Sequence, residues 1–193
     1  LCEGRWERSM VSKGKVSQLH GANSSGNYGE EGVGETRTSC SVHLDFDESF
    51  VVERIAARVA TVTGVTLEYV EPLVALRYEP GQYFKMHHDG AMRTATVFVY
   101  LTGVQPGAGG STHFPNLGFE VRPVACTALM WYNRLEDGAA DYRVQHEAKP
   151  MEAGIKYAMN CFVNIHPQRD TKDIVLVPAK SPAESGDAVG EGG

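Results

Sequence analysis

Residues 77–89 read Arg77-Tyr78-Glu79-Pro80-Gly81-Gln82-Tyr83-Phe84-Lys85-Met86-His87-His88-Asp89, with Gly90 following. On an extended strand successive side chains alternate between faces, so His87 and Asp89 project to one side while His88 points to the other. One imidazole and one carboxylate therefore face a common point. A His-x-Asp pair by itself is unspecific, and many such pairs are ordinary hydrogen-bonded surface groups. What the pair means depends on what the rest of the chain brings to it.

A third group of the right kind is His146, in Gln145-His146-Glu147, just ahead of the final apolar segment. Two imidazoles and one carboxylate make the facial triad of non-haem Fe(II) oxygenases, which leaves metal positions open for a cosubstrate and oxygen. Zinc suits the same ligands, but a zinc hydrolase also needs a general base beside the bound water, and no residue identifies itself as one. Ten positions beyond His146 comes Lys156, in Gly154-Ile155-Lys156-Tyr157. A strand through this segment carries Lys156 to the back of the metal pocket, where a buried ammonium requires an anion such as the far carboxylate of a dicarboxylic acid.

The surrounding pattern is that of a β-rich domain. Between Asp47 and Gly64, Val52, Ile55, Val59 and Val62 recur at helical spacing, with acids at the start and a glycine at the end, and predict one amphipathic helix. Segments heavy in Val, Phe, Tyr and Thr follow at Leu73–Tyr78, Thr94–Leu101, Ala128–Tyr132 and Tyr157–Ile165, broken by Gly and Pro clusters. They predict a mainly β, double-sheet fold with flanking helical structure and no internal repeat. With 193 residues, 42% of them apolar, the chain suffices for one core, so residues 1–179 are expected to form a single domain. Residues 20–35, rich in Gly, Asn, Ser and Glu, read as a loop, and residues 180–193 as a tail too polar to order itself.

Charge and cysteine content narrow the partners. A net charge of −6 without a Lys/Arg cluster argues against nucleic acid and anionic membrane surfaces, and no stretch approaches the roughly 20 apolar residues of a membrane span. Cys2, Cys40, Cys126 and Cys161 contain no Cys-x-x-Cys pair and read as buried free thiols. Asn23-Ser24-Ser25 fits a glycosylation acceptor, a triplet too common to fix the compartment.

The run Arg77–Asp89 closely resembles the core motif of prolyl 4-hydroxylases of the collagen and plant type. So do Thr36-Arg37-Thr38-Ser39, Gly109-Gly110-Ser111-Thr112-His113-Phe114-Pro115 and the stretch from His146 to Lys156, all in order within roughly residues 33 to 167. The resemblance implies a jelly roll (double-stranded β-helix) and a requirement for Fe(II), 2-oxoglutarate and O2, with ascorbate as reductant. It implies the secretory route as a compartment, with a cytoplasmic one left open. Residue by residue, it implies iron ligands at His87, Asp89 and His146, and a catalytic Lys156 on the distal carboxylate of 2-oxoglutarate. Tyr78 and Thr112 are implied as hydrogen-bond partners of that cosubstrate.

On the substrate side the resemblance implies Arg93 as a peptide-facing arginine. Phe84 falls where a tyrosine usually sits and Phe162 where a tryptophan often sits, and both keep an aromatic face for a proline ring. The chain departs from the family pattern between Asp89 and Arg93, where only Gly90, Ala91 and Met92 intervene, and at Ser111, where an acid is usual. The shorter connection predicts a more open groove, ordered mainly by a mobile segment at Arg37–Ser41. The expected activity is 4-hydroxylation of proline in a peptide or protein, coupled to decarboxylation of 2-oxoglutarate to succinate and CO2. The alternatives are an oxygenase of the same kind acting on a free amino acid or another side chain, and a non-catalytic jelly-roll module holding a metal as a clip. Oligomeric state is not legible.

Overall fold

The computed structural model describes residues 2, 4–12 and 31–170. The tail expected at 180–193, most of the loop expected at 20–35 and the Asn23 triplet lie outside the described residues. The chain runs through β1 (Glu7–Arg8), β2 (Met10–Ser12), β3 (Glu31–Val33), β4 (Cys40–Leu44), α1 (Phe50–Thr63), β5 (Leu73–Tyr78), β6 (Phe84–His87) and β7 (Arg93–Tyr100). It continues through β8 (Thr112–Phe114), β9 (Phe119–Val121), β10 (Thr127–Tyr132), β11 (His146–Ala148) and β12 (Lys156–Asn164). Residues 31–33, expected in a loop, form β3 by pairing with β2.

Two antiparallel sheets face each other. One has the order β1-β4-β5-β12-β7-β10 and the other β6-β11-β8-β9. From β5 onward the chain passes from one sheet to the other and back, with β8 and β9 forming a hairpin, and this winding is the jelly roll expected from sequence. Among the described residues α1 is the one α-helix, so the flanking helical structure expected from sequence reduces to it and short 3₁₀ turns.

The helix starts where the Ser49 hydroxyl accepts from the Val52 amide and ends at Gly64, whose φ of 72° is the left-handed conformation a glycine adopts without penalty. Its buried face is Val52, Ala56, Val59 and Ala60, packed on the outer face of the larger sheet, whereas Val62 is 60% exposed. The inward stripe thus runs i, i+4, i+7, i+8, which rotates Val62 outward although its spacing from Val59 looked helical.

The period of two decides what each strand gives to the interior. Along β12, Met159, Cys161 and Val163 join the core under α1. Lys156, Ala158, Asn160 and Phe162 alternate with them and face the smaller sheet. Along β7 the same division sends Ala95 and Val97 toward the helix, and Thr96, Phe98 and Tyr100 toward the inside of the roll. Because β12 is covered on both faces, its burial is nearly continuous. Strands β8 and β11, each three residues long, are too short to announce themselves by periodicity.

Candidate metal centre and the pocket behind it

His87 closes β6, Asp89 follows it by two residues, and His146 opens β11. These strands pair so that His146 stands opposite His87. Asp89 Oδ1 then lies 3.7 Å from His87 Nε2 and 3.9 Å from His146 Nε2, and one ligand atom from each residue falls within 4.8 Å of the others. Atoms bound to a shared ion at about 2.0–2.2 Å stand roughly 3–3.5 Å apart, so each carboxylate-to-imidazole gap needs to close by less than about 1 Å and no gap by more than about 2 Å. Gly90, with φ 98°, permits the turn that returns the chain to β7 immediately afterward.

Both imidazoles have their tautomer set by the backbone. His87 Nδ1 donates to the Lys85 carbonyl at 2.8 Å and His146 Nδ1 to the Val144 carbonyl at 3.0 Å. A carbonyl can only accept, so each Nδ1 carries the proton and each Nε2 keeps its lone pair for the centre. Burial, followed by the adjacent His146 imidazole, pulls His87 down to about 3, which keeps it neutral and available as a ligand. Burial alone would raise the Asp89 carboxyl, but His146, His87, Arg93 and the Thr96 hydroxyl hold it below the ordinary carboxylate range. His88 points away and packs near Tyr142, as the alternation required.

Inward from the triad a narrow cavity is walled by Tyr78, Phe98, Thr112, Trp131 and Asn160 among others. Behind Tyr78 lies Lys156, fully buried, its ammonium 4.3 Å from the Tyr78 ring centre and donating to the Gly110 carbonyl at 2.8 Å. Burial pulls it down to about 7, and no carboxylate pairs with it among the described residues. A cation so placed fits an anionic group arriving through the cavity. The Tyr100 hydroxyl, fully buried, donates to Thr112 Oγ1 at 2.7 Å, so Tyr100 backs the wall residue Thr112 and orients its hydroxyl. Sequence reading missed Tyr100, although its place two residues beyond Phe98 on the inward face of β7 was a usable signal. The three convergent ligand atoms and the uncompensated Lys156 together fit Fe(II) and a dicarboxylate cosubstrate.

The three substrate-side expectations meet different outcomes. Phe84 stacks on the His87 ring with centroids 3.5 Å apart, and the Arg37 guanidinium lies 4.7 Å over its other side. Phe162 is on the inward face of β12 but buried and outside the cavity lining, with the Arg93 guanidinium covering it at 3.5 Å. Arg93 in turn is clamped by Glu71 through Nε at 3.0 Å and a terminal nitrogen at 2.8 Å, and Glu71 is also held by Asn164 at 2.8 Å. The guanidinium expected to face peptide is thus engaged in a mostly buried ion pair, because Glu71 on the segment before β5 reaches it across the sheet. Nor is Arg37–Ser41 a free lid. Backbone bonds join Thr38 to Tyr83 and Lys85 to Thr36, and Cys40 and Ser41 already belong to β4.

Residues 73–164 match the model of the 2OG-Fe(II) oxygenase superfamily. This part of the chain belongs to that superfamily. Its members use Fe(II), 2-oxoglutarate and O2, in keeping with the triad and with the cation behind it. Prolyl 4-hydroxylase subunit alpha-2 of Gallus gallus is 33% identical over 140 residues, covering 66% of this chain and 26% of that protein. The subunit alpha-2 of Caenorhabditis elegans is 32% identical over 186 residues, covering 89% of this chain and 32% of that protein. The oxygenase chain thus spans about a quarter to a third of the curated relatives it matches. In fold it is similar to the viral collagen prolyl hydroxylase of Paramecium Bursaria Chlorella virus-1 in its 2OG complex. That similarity has a TM-score of 0.61 at 24% identity and covers 66% of this chain and 79% of that one.

Proposed function

We propose that this oxygenase domain hydroxylates proline residues in a peptide or protein at C4 of the ring. In this reading His87, Asp89 and His146 hold Fe(II), and Lys156, Thr112, Tyr78 and Tyr100 receive 2-oxoglutarate. When bound, the metal and its cosubstrate supply the oxidative chemistry, in which O2 is consumed, 2-oxoglutarate leaves as succinate and CO2, and ascorbate keeps the iron reduced. The chain's own part is to orient and to exclude water. The Nδ1 bonds aim both imidazoles, Lys156 neutralises the far carboxylate, and Phe98, Trp131 and Phe84 wall the centre with apolar surface. Phe84, stacked between His87 and Arg37, presents its edge to the cavity, and Phe162 backs the site from beneath Arg93.

The observation that carries the reading is Lys156, a fully buried cation with no carboxylate paired to it among the described residues, behind a cavity that opens onto the triad. A module retaining a metal only as a structural clip has no use for it. The choice of prolyl substrate is supported by the names of the relatives. The test is turnover of a polyproline-like peptide, a collagen-like peptide and free proline, followed by mass spectrometry with Fe(II), with and without 2-oxoglutarate. Gain of one oxygen atom by a peptide, dependent on 2-oxoglutarate and matched by succinate, is expected. Oxidation of free proline alone would replace this reading with that of a small-molecule oxygenase.

A further inference from the structure

Three polar side chains inside the roll form a chain that ends on the metal-facing carboxylate. Trp131 Nε1 donates to Asn133 Oδ1 at 3.0 Å, Asn133 Nδ2 donates to Thr96 Oγ1 at 2.9 Å, and Thr96 Oγ1 donates to Asp89 Oδ2 at 2.7 Å. Thr96 and Asn133 are fully buried and Trp131 is 8% exposed. We infer that Trp131, Asn133 and Thr96 are positioning residues that set the orientation of Asp89, with the indole N–H fixing the polarity of the whole chain. The inference rests on Asp89 being a metal ligand, as proposed above.

The argument starts from the one member that has no choice. An indole nitrogen can only donate, whereas a carboxamide can be turned end for end and a hydroxyl can rotate. Because Trp131 donates, Asn133 must present its oxygen to the indole and its NH2 to Thr96. Thr96 Oγ1 is then an acceptor from Asn133, so its own proton has one good destination, Asp89 Oδ2. Asp89 Oδ1 is left facing the two imidazoles. The Asn133 backbone is held at both ends, its N–H donating to the Thr94 carbonyl and its C=O accepting from Asp141, each at 2.9 Å, so the side chain cannot drift from this arrangement. Without the indole N–H, the carboxamide is free to flip and offer its oxygen to Thr96. The hydroxyl would then turn toward Asn133, and Asp89 Oδ2 would lose its donor.

The same indole touches a second ligand. Its ring meets His146 edge-on, with centroids 4.8 Å apart and planes at 66°. Trp131 therefore braces two of the three ligands, His146 by packing and Asp89 through the relay. Outer partners of metal ligands typically affect metal affinity by about 10- to 100-fold, and the relay predicts how that effect divides. Trp131→Phe keeps an aromatic ring but deletes the N–H together with part of the indole, Thr96→Val keeps the shape and deletes the hydroxyl, and Thr96→Ser restores the hydroxyl.

The experiment is an anaerobic titration of the metal-free chain with Co(II), read by visible absorption, alongside thermal unfolding of each metal-free variant. Thr96→Val is expected to weaken Co(II) binding by about tenfold or more, Trp131→Phe severalfold, and Thr96→Ser hardly at all. In the Thr96→Val background, Trp131→Phe should cause a smaller loss than it does alone, because its route to Asp89 is already cut and only its packing on His146 is left to change. Losses that multiply in the double variant, or Co(II) binding unchanged in Trp131→Phe, would overturn the relay. Should Thr96→Val fail to fold, the milder Trp131→Phe and Thr96→Ser comparison still decides. Failure of the underlying site reading looks different, since the parent chain would then bind no Co(II), or would bind it equally well as Asp89→Ala.

Discussion

Replacing Lys156 with Met removes a cation that the fold holds at a cost. In the structure its ammonium is fully buried, makes one hydrogen bond to Gly110, and is pulled by burial from 10.5 to about 7. At about 1.4 kcal/mol per pH unit this depression corresponds to at most roughly 5 kcal/mol of destabilisation of the protonated, metal-free fold. The sign follows from proton binding. Between about pH 7 and 10.5 the unfolded chain holds this proton more tightly than the folded one, so wild-type stability rises with pH through that window. Lys156→Met lacks the titration, so its advantage is fully present below about pH 7 and gone by about pH 10.5. Met fills a similar volume with no polar atom to desolvate.

Binding should move the opposite way. Loss of the cation opposite a buried carboxylate costs about 3–5 kcal/mol, two to three orders of magnitude or somewhat more in the 2-oxoglutarate dissociation constant. The assays are urea unfolding of both proteins at about pH 6 and pH 10 and calorimetric titration with 2-oxoglutarate in the presence of Mn(II). A variant that is more stable at low pH, has lost cosubstrate binding and keeps its metal affinity is the expected outcome. A Lys156→Met chain that is less stable than wild type at about pH 6, or that binds 2-oxoglutarate normally, would refute the reasoning.

Two more expectations follow from the same geometry. Phe84→Ala removes the face stacked on His87, and Phe162→Ala removes the one beneath Arg93. Each should lower peptide turnover more than it lowers peptide-independent decarboxylation of 2-oxoglutarate, and equal losses in both assays would show that the rings support the metal centre rather than the substrate side. Gly110→Ala should destabilise the domain by about 2 kcal/mol or more, because Gly110 sits at φ 72° and an added Cβ would meet Met151 Sδ at 2.2 Å. Thermal unfolding of the metal-free chain checks it, and an unchanged midpoint would show that this turn yields easily.

The sequence by itself determined what covalent geometry repeats locally. Alternation along a strand put His87 and Asp89 on one side and His88 on the other, and it carried Lys156 inward on β12. The acids, glycine and apolar spacing around α1 bounded that helix to within a few residues. What tertiary structure alone decided is which distant groups meet. The pairing that sets His146 opposite His87 joins a four-residue strand to a three-residue one, neither long enough to declare its register. Glu71 pairs with Arg93 from a segment 22 positions away, a contact that no local pattern announces. Trp131, Asn133 and Thr96 become a relay to Asp89 only because β7 and β10 pair with Thr96 opposite Trp131. A side chain's direction follows from its own backbone and two neighbours, whereas its partner depends on the register of strands far apart in the chain. That register is set by the packed core as a whole.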